Sequence, residues 1–86
     1  MPPPELRIGR YYSNGAYGRA WGVRLLVALV SDATGATEVV FRGVAGQCRR
    51  RQGQIPLADF TRWARYEVAL NENSWQRVGA ADADPD

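Results

Sequence analysis

Every basic side chain in this 86-residue chain is an arginine: there are eleven, with no lysine and no histidine. A guanidinium is planar and always charged, pairs two-pronged with phosphate or carboxylate, and stacks on rings. Several arginines sit beside aromatics, in Arg10-Tyr11-Tyr12, Arg19-Ala20-Trp21 and Arg62-Trp63-Ala64-Arg65-Tyr66. A run of three, Arg49-Arg50-Arg51, follows the single cysteine, Cys48. Arginine neutralising phosphate while tyrosine stacks on a base is how small barrels hold single-stranded nucleic acid. The anion-binding residues expected on this pattern are Arg7, Arg10, Arg19, Arg49 and Arg51. Tyr11 and Tyr17 are the expected stacking rings, with Tyr66 a third. GC-rich coding alone would also replace lysine by arginine, so the placement of the arginines carries more information than their number.

Other chemistries have little to work with. One cysteine excludes an internal disulfide and a cysteine metal cluster. Without histidine, zinc and iron sites of the usual kind lack ligands, and no cofactor is expected. Arginines near Cys48 favour a thiolate, but a nucleophilic cysteine needs a base and no histidine supplies one. A buried structural Cys48 is expected. Nothing in the spacing of Asp59, Glu67 and Glu72 sets two carboxylates across a pocket for acid–base work. The glycines from Gly15 to Gly22 match no phosphate-loop motif. The expectation is therefore a binding domain without catalysis.

The formal charge is +2, but Asp82, Asp84 and Asp86 hold three of the nine acids. Without them eleven arginines face six acids, a body charge of +5, which suits polyanions or acidic surfaces. The most apolar run, Val23 to Val30, contains Arg24 and falls far short of the ~20 residues of a membrane helix. The first residues carry neither a basic leader nor an apolar run. No membrane partner is expected, and the cytoplasm is the expected compartment.

The elements that must position these groups read as an α+β fold. Runs of strands before one helix predict a curved antiparallel sheet of four or five strands, or a small SH3-like or OB-like β-barrel, with one short helix. Residues 1–5 read as an extended lead, 6–79 as one domain and 80–86 as a disordered acidic tail. Alternation predicts a strand over Leu6–Ser13. Asn14-Gly15 predicts a two-residue turn that pairs 11–13 with 16–18. A core strand follows over Trp21–Ser31, with Trp21, Val23, Leu25, Val27 and Leu29 on one face and Leu26, Ala28 and Val30 on the other; apolar on both faces at its far end, it is expected to be central in its sheet or covered by a helix. The return strand covers 37–45. Residues 47–54 read as a basic edge strand, which would put Arg49 and Arg51 on one face and Arg50 on the other. Pro56 opens a helix running to about Tyr66, followed by strands to Leu70 and over 75–78.

Two functions fit. One is a nucleic-acid-binding accessory protein. The other is a protein-interaction or assembly module, pairing through the basic edge strand 47–54 with an acidic protein or in a homodimer.

Overall fold

The computed structural model describes residues 4–78. The expected acidic tail, 80–86, lies outside the described residues, as does most of the expected lead. Six strands form one antiparallel sheet: β1 (Tyr11–Ser13), β2 (Gly22–Ser31), β3 (Thr37–Gly46), β4 (Gln52–Pro56), β5 (Tyr66–Asn71) and β6 (Ser74–Arg77). One helix, α1 (Leu57–Trp63), connects β4 to β5. The strand order is β4-β3-β2-β1-β5-β6. The fold is α+β as expected, with more strands than expected. β4 and β6 remain separate edges, so the sheet is open and the barrel form is not adopted.

α1 covers one face. Its Phe60 is fully buried and packs on Tyr12 (ring centroids 5.9 Å), Phe41 (6.2 Å) and Trp63 (5.8 Å). Leu26, Val39 and Ala64 complete this core, with Leu6, Ile55 and Leu57 at its margin. Arg24 lies between Phe41 and Trp63, its guanidinium 4.3 and 4.1 Å from the two ring centres. Its Nε is buried without a hydrogen-bond partner among the described residues, so its charge is met mainly by ring faces. A helix of seven residues is too short to persist alone in water; packing holds it.

The expected strand from Leu6 is not formed. Chain direction reverses over Arg7–Arg10, where Gly9 takes φ +87° and the Arg10 amide bonds the Arg7 carbonyl (3.3 Å). The fully buried Tyr12 holds what precedes it. Its hydroxyl accepts from the Arg7 amide (2.6 Å) and donates to the Glu5 carbonyl (2.9 Å). Only Gly9 and Arg10 continue toward β2, bonding Leu26 at 2.8 and 3.0 Å.

The Asn14-Gly15 turn is also corrected. β1 pairs with β2 (Tyr11↔Leu25, Ser13↔Val23), not with 16–18. The Asn14 side chain closes a longer loop, accepting from the amides of Ala16 and Gly22 (3.2 Å each) and donating to the Ala20 carbonyl (2.7 Å). A 3-10 turn, Gly18–Ala20, lies within that loop. Asn14 thus serves as a side-chain staple, a local competition to which its short amide is suited.

The far end of β2, expected to be apolar and covered on both faces, is exposed instead at Val27, Leu29 and Val30. Register shifts at Val23/Arg24 and Leu26/Ala28 interrupt the alternation, as bulges do. Leu26 faces the helix-side core, while Val23 pairs with the buried Ser13 on the opposite face. Finally, 47–54 is not one edge strand. Residues 47–50 form a turn, and the edge strand β4 begins only at Gln52. The strands expected over 37–45, 66–70 and 75–78 are present within a residue or two.

Burial of the Tyr12 phenol raises its pKa above the usual tyrosine value of about 10. The folded chain then holds this proton more tightly than the unfolded chain. That stability is complete below pH ~10 and is lost as pH rises through the folded value. Urea midpoints measured from pH 8 to 11 should fall at the alkaline end, and Tyr12→Phe should flatten the fall. An unchanged midpoint in the parent protein would contradict the buried-phenol latch.

Candidate functional site

Antiparallel pairing brings three connections to one end of the sheet: the β1–β2 loop, the β3–β4 loop, and Ala64-Arg65 between α1 and β5. Hydrogen bonds join them. The Gln47 amide donates to the Trp21 carbonyl and its Nε2 to the Ala20 carbonyl, both at 2.8 Å. The Arg65 amide donates to the Ser13 carbonyl at 2.7 Å. Gly15 lets the Arg65 stem lie against the first loop: a Cβ there would sit 2.8 Å from Arg65 Cγ.

The β3–β4 loop is built around Cys48, which is 4% exposed. It packs against Gly22, where an added Cβ would sit 2.6 Å from its sulfur. The Arg49 amide bonds the Gly46 carbonyl (3.1 Å), the Arg51 amide bonds the Cys48 carbonyl (3.0 Å), and the Arg51 carbonyl accepts from Gly43 (2.6 Å). Arg50 takes the left-handed conformation, φ 68°, costing about 1 kcal/mol or more for a residue with a Cβ. The cysteine turns in and the three arginines turn out, all exposed.

Arg19, Arg49, Arg50, Arg51 and Arg65 therefore share this end, and all are exposed. Among the described residues none of these five forms an ion pair with a carboxylate. Tyr17 stands beside the 3-10 turn at 92% exposure. Arg77, at the last position of β6, lies over the Tyr66 ring at 4.8 Å at the same end. The other end holds acids: Asp32 in the β2–β3 loop, Glu38 at the start of β3, Asp59 in the first turn of α1 and Glu72 in the β5–β6 turn. Asp32 accepts from the Thr34 hydroxyl and the Thr34 and Ala36 amides, which hold its pKa below the usual carboxylate range.

Of the residues singled out in the sequence, Tyr17, Arg19, Arg49 and Arg51 come together. Arg7 and Arg10 do not join them. Arg7 pairs with Glu5 at 2.9 Å, and Arg10 lies 3.9 Å from Glu67. Tyr11 is half-buried on the helix-free face, against Trp75 at 5.0 Å. Arg62 pairs with Asp59 on the helix. Arg50 and Arg65 were missed. A strand over 47–54 puts Arg50 on the opposite face, whereas Gly46 and Gly53, which flank the run, are the turn signals that match the observed loop. Arg65 was given to a helix that ends two residues earlier.

As chemistry, this end offers fork-shaped donors and an exposed ring, and among the described residues no carboxylate pairs with its five arginines. Among the described residues, no group of three His, Cys, Asp or Glu could hold a metal ion. No helix of the described residues is long and apolar enough to cross a membrane. Burial protects Cys48, so a thiol reagent should label the native protein slowly. Gly22→Ala should push Cys48 outward and speed labelling severalfold while loosening the arginine loop. Equal labelling rates in the two proteins would contradict this packing.

Searches against protein-family models, curated proteins and solved structures find no match for this chain.

Proposed function

We propose that the arginine-rich end binds nucleic acid through its phosphates, as a binding protein without catalytic activity. One observation carries this: five arginines without carboxylate partners among the described residues share one end, while Asp32, Glu38, Asp59 and Glu72 lie at the other. Concentrating like charge destabilises a folded chain unless an anion offsets it. Arg19, Arg49, Arg50, Arg51 and Arg65 take phosphate oxygens, and Tyr17 offers a stacking face to an unpaired base. The alternative of pairing through 47–54 loses its arginines: they turn away in the loop, and β4 itself carries none.

Binding of this kind weakens with salt, because each neutralised phosphate releases counterions. With three or more phosphates engaged, affinity should drop about tenfold or more between 50 and 200 mM salt. Arg49→Ala/Arg51→Ala should weaken all sequences alike and flatten the salt slope. β6 hands the chain onward at this same end, and the sequence beyond it carries Asp82, Asp84 and Asp86. Deleting 82–86 should strengthen binding. Fluorescence anisotropy with labelled oligonucleotides reads all three. An absence of binding at 20 mM salt, or a double variant equal to the parent, rejects the proposal.

A further inference from the structure

The helix-free face carries its own pattern. Strand register places Tyr11, Ser13, Leu25, Arg42, Tyr66, Val68, Trp75 and Arg77 on this one side of the sheet. Two contacts confirm it. Tyr11 and Trp75 lie 5.0 Å apart with planes at 58°, and Arg77 lies over Tyr66 at 4.8 Å. All three rings are half-buried, so each keeps an accessible surface. Arg42, exposed on β3, lies across β2 from Tyr11, because Leu25 pairs with both.

From Tyr66 and Arg77 at the arginine-rich end, the side chains run to Tyr11 and Trp75 and then to Arg42. The nearest acid on β5, Glu67, points to the opposite side, where it meets Arg10. Glu38 lies at the far end, bonded to Gln54. Rings flanked by arginine, on a face continuous with unpaired cations, match the chemistry of unstacked bases on a charged backbone. A duplex hides its base faces and cannot use them.

We infer that this face is a base-stacking platform for single-stranded nucleic acid. Phosphates enter at Arg19, Arg49, Arg50, Arg51 and Arg65, and successive bases lie on Tyr11 and Trp75, beside the Arg77–Tyr66 stack. Arg42 meets the backbone along the way. This deepens, and rests on, the binding role proposed for the arginine-rich end.

The test compares an oligothymidine with a duplex of equal length, against the parent protein, Tyr11→Leu and Trp75→Leu. Folding of each variant is checked by thermal unfolding. Each variant should lose about 5- to 150-fold in single-strand affinity and stay within about twofold on duplex. A second measurement needs no variant: ultraviolet crosslinking of the parent protein to a 4-thiouridine oligonucleotide should attach it to the peptides holding Tyr11 or Trp75. Unchanged single-strand affinity in folded variants, or crosslinks confined to 17–19 and 47–51, overturns the platform and leaves the arginine-rich end standing. A parent protein that binds neither oligonucleotide overturns both.

Discussion

Every neighbouring pair of strands in this sheet is antiparallel, and that constraint decides where each loop lies. A chain that reverses at each step sends its connections to alternate ends. The β1–β2 and β3–β4 loops share one end with the junction from α1 to β5. The β2–β3 and β5–β6 turns share the other with the start of α1. Residues far apart in sequence, such as Arg19, Arg50 and Arg65, become neighbours by this rule alone. The same rule gathers Asp32, Glu38, Asp59 and Glu72. A modest net charge of +2 thus becomes a protein with two unlike ends. At physiological salt, charges interact over roughly 8 Å, so each end acts on a ligand largely by itself.

The sheet can present such ends because its helix side is tightly held. α1 buries only Phe60 and, just after it, Ala64, yet Phe60 meets three rings. Tyr12 acts twice there: its ring packs on Phe60, and its hydroxyl holds the backbone at Glu5 and Arg7. Arg24 fills the remaining gap between Phe41 and Trp63, where its flat charged head is matched by ring faces. One arginine is thereby committed to structure, and Arg7, Arg10 and Arg62 lie beside acids. Seven of the eleven remain, and position gathers five of them, Arg19, Arg49, Arg50, Arg51 and Arg65, at one end.

Much of this was legible in the sequence. The amphipathic stripe around Phe60 and the proline at its start marked the helix. The alternation around Val39–Phe41 and Val68 marked two strands. The misses share a cause: a side chain or backbone bond across the fold replaced the local rule. Asn14-Gly15 signals a two-residue turn locally, but the Asn14 amide found partners at Ala20 and Gly22. Leu6 to Arg10 alternates like a strand, but Tyr12 bonds its backbone and Gly9 lets it reverse. The bulges in β2 are set by pairing with β3, and no single strand reveals them. For the site, composition pointed to arginine and tyrosine. Which arginines stand together depended on the strand order, in which β1 lies between β2 and β5, and no local pattern encodes that.

The central claim is that position at one end, rather than total charge, makes the binding surface. Amide chemical shifts during titration with a short single-stranded oligonucleotide at low salt test it most directly. Shifts should concentrate at residues 15–21, 47–51 and 65–66 and continue onto Tyr11 and Trp75, with residues 32–36 and 71–73 unmoved. Shifts spread evenly over all eleven arginines, or centred on Arg7, Arg10 and Arg62, would contradict it.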